Sequence, residues 1–219
     1  MQNAGTHELF QYWNRLRGTR RAPTRTEIEP ADIRTLLADT FILEIDLRET
    51  PVFRLAGTRL CAVFGRELKG FAFLSTWSAD DQVKMARLVR NVVANGMVAI
   101  IESRGRTVGG RSNPFETILL PLDASQDSHR LLGATFALDK PYWLGADPLD
   151  ALDIEALRVL DPDKDPLFLT NRPTLDVPRL FPRQADLSAP APGTHPARKV
   201  RHLVVLEGGL SDRDKNTVR

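Results

Sequence analysis

Apolar residues recur at helical spacing in "THELFQYWNRLRG", where Leu9, Phe10, Trp13 and Leu16 share one face, Thr6 is placed to cap and Gly18 stops the run. The second half of "RRAPTRTEIEPADIRTLLAD" predicts a short helix that starts near Pro30 and turns Ile33, Leu36 and Leu37 inward. The period then falls to two. "FILEID" alternates Phe41, Leu43 and Ile45 against Ile42, Glu44 and Asp46, and "VFRLAG" alternates Phe53 and Leu55 against Val52 and Arg54, which predicts two half-buried strands. After Gly57 the spacing of Leu60, Val63 and Phe64 fits a short helix ended by Gly65, and a turn around Gly70 leads into "FAFLSTW".

"SADDQVKMARLVRNVVANG" carries the clearest helical pattern. Ser78 stands at its cap, Asp80 and Asp81 complement the helix dipole, Met85, Leu88, Val89, Val92 and Val93 form its apolar stripe, and Asn95-Gly96 makes a left-handed stop. Three strands follow in "MVAIIESRGR", "PFETILLPL" and "LLGATFAL". Their links, "TVGGRSN" and "DASQDSHR", are turn-like, so the three form an antiparallel meander. Beyond residue 140, "DPLDALDIEALRVLDPDKD" allows one short acidic helix. The five prolines between Pro178 and Pro196 mark a linker or arm, and "RKVRHLVVLEGG" reads as a strand with a basic entrance.

Composition narrows the class without naming a chemistry. The 219 residues, 42% hydrophobic and 26% charged, suit a globular chain with a real core. A net charge of +2 is too small to imply nucleic-acid binding by itself. The amino-terminal stretch shows no secretory pattern, no apolar run reaches membrane-spanning length, and the lone Cys61 cannot form an internal disulfide; the expected address is the cytoplasm, away from membranes.

Gly57, Gly65 and Gly70 lack the spacing of a phosphate-cradling loop and read as turn punctuation. Cys61, flanked by Leu60 and Val63, reads as an inert structural thiol. His7, His129, His195 and His202 are too scattered for a zinc site, and no nucleophile-and-base spacing is present; no catalytic residue and no metal ligand is therefore named. Arg15, Arg17, Arg20, Arg21 and Arg25 could grip phosphates, together with "RKVRH"; the simpler reading is a solvated or internally paired cluster, which disfavours nucleic acid as a partner.

The order strand, strand, short helices, long helix, three strands is that of a PAS domain. "FRLAGTRLCAVFGREL" resembles the stretch between its second strand and helical crossover. With "YWNRLRGTRRAPTRTEIEP", "FILE" and "RKVRHLVVLEGG", the chain resembles a family of stand-alone bacterial PAS proteins best known in alphaproteobacteria. The resemblance implies an α+β fold: a PAS-like five-stranded antiparallel sheet with a helical crossover, flanked by N-terminal helices and an extended C-terminal arm. The corresponding division is N-terminal helices over 1–40, a PAS-like core over 41–140, an irregular acidic and Pro-rich extension over 141–197 and a basic strand-like tail over 198–219.

It also implies a sensory or regulatory protein, without catalysis, that binds a small ligand, a signalling-protein partner or both. The alternatives are a nucleotide or nucleic-acid binder and an enzyme on a PAS scaffold. Cys61 does not sit in the stretch that flavin-adduct PAS proteins use, and the long helix has no histidine for haem, so the cofactor is unknown. Pocket candidates are Phe53, Leu55, Leu60, Phe64, Trp77, Met85 and Leu88, with Arg59 and Glu102 as polar members; Phe73 and the polar Glu67, Ser75 and Arg104 also come into view. Leu9, Phe10 and Trp13 either pack on the chain's own sheet or form the contact of a homodimer.

Overall fold

The computed structural model describes residues 1–45, 49–125, 128–164 and 175–176; the expectations for the Pro-rich stretch 178–196 and for "RKVRHLVVLEGG" lie outside the described residues. Period-two segments form β1 (Thr40–Ile45), β2 (Pro51–Ala56), β3 (Val98–Thr107), β4 (Ser112–Ser125) and β5 (Ser128–Ala137), all antiparallel, with β3, β4 and β5 in the expected meander and β1 paired to both β2 and β5. The crossover from β2 to β3 holds α2 (Thr58–Val63), a 3₁₀ turn (Phe73–Thr76) and α3 (Ala79–Asn95), which ends at the left-handed Gly96.

The sheet is wider than the five expected strands. β6 (Leu149–Leu160) pairs with β3 along its length and the two-residue β7 (Leu175–Asp176) pairs with β6, giving the order β2-β1-β5-β4-β3-β6-β7. The short acidic helix expected in this stretch is therefore a strand. Its leucines are three or more apart because the β3–β6 register slips twice, leaving Asp150 and Glu155 as extra residues, and each slip shifts the alternation by one. Bulged alternation imitates helical spacing.

Each face of the sheet has its own core. Phe41, Leu43, Phe53, Ile101, Phe115 and Leu119 pack beneath α2, the 3₁₀ turn and α3 on the inner face. Ile42, Ile100, Ile118, Leu120 and Leu132 pack on the outer face with the N-terminal helix, α1 (Ala4–Arg17). That helix starts ahead of the expected cap: Asn3 Oδ1 accepts from Gly5 N at 2.7 Å, and Thr6 is buried within the first turn. Glu116, fully buried on β4, accepts from the N–H groups of Gln2 and Asn3 at 2.7 and 3.0 Å and ties the start of α1 to the sheet. The short helix near Pro30 is a 3₁₀ turn over Pro30–Ile33.

The start of α3 is fastened to the extra strand. Ser78 N donates to Leu152 O at 2.9 Å, and the buried Asp81 carboxylate accepts from Ile154 N and from Lys84 Nζ, each at 2.8 Å. Asp81→Ala strands the Ile154 N–H at this junction. A loss of about 1–3 kcal/mol in chemical denaturation is the expected result, the range for a buried polar group deprived of its partner.

Candidate functional site

The region between the sheet and the crossover collects most of the pocket candidates. Phe53, Leu60, Phe64, Trp77, Met85 and Leu88 all belong to the inner core. Phe41, Phe53 and Phe73 form a ring cluster with centroids 5.5–5.6 Å apart, and Trp77 meets Phe73 edge-on at 5.9 Å.

Of the polar groups inside this interior, two lack a hydrogen-bond partner among the described residues. They are the buried Trp77 Nε1 and Ser103 Oγ, and Ser103 shares the inner face with Ile101 and Phe115. An unmade hydrogen bond inside a protein is unfavourable by about 1–3 kcal/mol, so each of these two groups is a position where a polar partner would be stabilising. Thr117 and Thr135, also buried, satisfy each other at 2.9 Å.

A polar groove of about 320 Å³ lies beside this interior where the 3₁₀ turn, α3, β3 and β6 meet. Ser75, Trp77, Ser78, Ala79, Arg106, Asp150 and Ala151 line it. Trp77 thus belongs both to the inner core and to the groove, and its backbone bridges to Leu152 of β6.

Three expected pocket members lie elsewhere. Leu55 is 43% exposed on the outer side, because the β1–β2 register slips so that Ile42 faces Leu55 while Leu43 faces Phe53; Arg54 is the extra residue, and the alternation read from "VFRLAG" breaks there. Glu102 sits on the outer face between β4 and β6 and pairs with Arg158 at 3.0 Å. Arg59 is largely exposed and pairs with Asp39. Burial pushes the Asp39 pKa up, and the Arg59 charge opposes that rise. Of the other polar positions, Arg104 pairs with Glu155 at 2.5 Å and only Ser75 reaches the groove.

Burial also pushes the Cys61 thiol pKa up, with Glu67 reinforcing the rise, which keeps the thiol protonated at neutral pH. No group of three or more metal-ligating side chains converges among the described residues. Nor is any described helix long and apolar enough to cross a membrane.

Leu9, Phe10 and Trp13 are buried on the chain's own sheet. The amino-terminal arginines are mostly engaged within the chain. Arg17 is buried over the Trp13 ring and bonds Asp163 at 2.7 Å, Arg20 pairs with Glu27 at 2.6 Å, and Arg21 bonds Ala94 O. With Arg20 and Thr24 donating to it, the Glu27 carboxyl is held down to about 2.

A family model described as a PAS domain, PAS_5, matches residues 1–136. No curated protein matches the sequence significantly. Among solved structures, the chain is similar to the crystal structure of the Rhodobacter sphaeroides LOV protein, at 14% identity over 50% of this chain and 66% of that one, with a TM-score of 0.39. It is also similar to an RNA-binding Light-Oxygen-Voltage receptor, at 17% identity over 46% of this chain and 30% of that one, with a TM-score of 0.35. It therefore spans about two thirds of the first and under a third of the second.

Proposed function

The chain belongs to the PAS_5 family of PAS domains, a generally sensory and regulatory fold, and from that premise we propose that it is a regulatory module controlled by a small molecule in the inner core. The observation that carries this reading is the two buried, unpartnered groups, Trp77 Nε1 and Ser103 Oγ, in or beside the inner core, where the neighbouring Thr117 and Thr135 satisfy each other. The ligand is a small, mainly apolar molecule with at least one hydrogen-bond acceptor, since Trp77 offers only a donor. The groove lined by Trp77 is the route of entry that this reading implies.

Regulation follows from what Trp77 is attached to. It ends the 3₁₀ turn, precedes α3 and bridges to β6, so a ligand that repositions its ring biases the α3–β6 junction held by Ser78 and Asp81. A ligand that binds one arrangement of this junction more tightly shifts the population toward it and changes the surface presented to a protein partner.

Native mass spectrometry of gently purified protein, paired with denaturing extraction, tests the reading. The expected result is a stoichiometric small molecule whose occupancy falls in Trp77→Phe, which keeps an aromatic ring and loses the N–H. A clean apo mass for the unaltered chain would overturn ligand control and leave regulation to a protein partner.

A further inference from the structure

On the outer face, away from the crossover, three arginines from separate parts of the chain line one cavity. It measures about 180 Å³ and is bounded by Arg25, Ile42, Arg54, Leu55 and Arg130. Arg25 comes from the 3₁₀ turn Arg25–Glu27, which the capping box between Thr24 and Glu27 holds. Arg130 comes from β5, opposite Glu44 of β1.

Arg54 and Leu55 reach the same cavity because of the β-bulge. In a regular strand, successive side chains point to opposite faces; the extra residue at Arg54 leaves both on the outer face beside Ile42 and Arg130. The result is a leucine exposed in mid-strand with arginines around it. Glu44 meets two of these arginines, 2.6 Å from Arg54 Nε and 3.7 Å from Arg130 Nη2, so those two guanidinium groups share one carboxylate, while Arg25 donates to Ile28 O at 3.4 Å. Arg54 and Arg130 remain 62% and 32% exposed at their side chains and are open to a ligand.

We propose that this cavity binds a small phosphate monoester, its phosphoryl group held by Arg25, Arg54 and Arg130 and its apolar part resting on Ile42 and Leu55. Guanidinium forks match phosphoryl oxygens two at a time, and a dianion offsets the excess of positive charge better than a monoanion does. The apolar floor selects for a phosphorylated molecule over free phosphate, since inorganic phosphate has nothing to place against Leu55. This site is distinct from the inner core and does not depend on the regulatory reading.

Isothermal titration of the full chain with phenyl phosphate, inorganic phosphate and phenyl sulfate tests it. The expected result is saturable binding of phenyl phosphate, at least tenfold tighter than either of the other two. Arg54→Ala and Arg130→Ala should each weaken it about tenfold or more, as removal of a charge-assisted hydrogen bond does. Arg104→Ala, which alters the remote pair with Glu155, should leave it unchanged. No saturable binding of phenyl phosphate by the unaltered chain up to about 10 mM, a concentration well past the weak-binding range, would overturn the proposal. So would equal affinity for phenyl and inorganic phosphate, or undiminished binding by a folded Arg54→Ala, Arg130→Ala double variant.

Discussion

Trp13→Ala is expected to destabilise the protein by about 3–5 kcal/mol, the range for emptying a large aromatic site in a core, and to do so equally at high and low protein concentration. The ring is fully buried on the outer face of the sheet and lies 6.1 Å from Phe10. Its Nε1 donates to Pro121 O at 2.7 Å, and the Arg17 guanidinium stands 5.4 Å from its centroid. Alanine removes the apolar contacts, leaves the Pro121 carbonyl without this donor and takes the aromatic floor from under a buried arginine. Arg17 also bonds Asp163 and Pro162 O, so the loss reaches the segment after β6. Urea denaturation at two concentrations at least tenfold apart checks the mechanism. An equal drop in midpoint supports burial within one chain, whereas a drop that shrinks as concentration rises would mean that Trp13 acts at an interface between copies.

The same residue shows where sequence reading stops. The stripe of Leu9, Phe10 and Trp13 is legible as an apolar face, and its burial follows from the hydrophobic effect alone. Whether it covers the chain's own sheet or another copy depends on which outer-face residues β3, β4 and β5 present, a long-range fact that helical spacing does not carry. The inner core is more legible, because Phe53, Leu60, Phe64, Met85 and Leu88 lie in or beside regular elements whose period survives folding. The departures at Leu55 and β6 share one cause. A bulge inserts a residue into the pairing without leaving a mark in the local pattern, and it reverses the facing of everything beyond it. Glu102 departs for a different reason: a charged residue among buried neighbours suggests an inward functional group, but its partner Arg158 lies 56 positions away in the sequence. The groups that carry the functional reading, Trp77 Nε1 and Ser103 Oγ, stand out through missing partners, and that is a property of three dimensions only.

Gly57→Ala is expected to destabilise the protein by about 3 kcal/mol or more, at the upper end of what overpacking does, and the reason is contact rather than backbone conformation. Gly57 has φ of −67°, which any residue adopts. A Cβ there would overlap both Leu37 O and Ala38 O, and neither is the far end of a flexible side chain. These carbonyls are fixed by their surroundings. Ala38 O accepts from Arg59 N at 2.8 Å and Leu60 N at 3.2 Å, and Gly57 N donates to Thr40 O at 2.8 Å. Relieving the overlap moves the start of α2 away from residues 37–40, loosens those hydrogen bonds and lifts Leu60 and Val63 from the inner core. Gly70 supplies the contrast: its φ is +86°, and a methyl group there would meet nothing within 4 Å. Gly70→Ala therefore meets only left-handed backbone strain, on the order of 1 kcal/mol. Denaturation of both variants separates the two roles of glycine in this stretch. If Gly57→Ala were the milder of the two, close approach of the backbone would not be what requires glycine before α2, and the docking of the crossover against residues 37–40 would have to rest on the side chains of α2 instead.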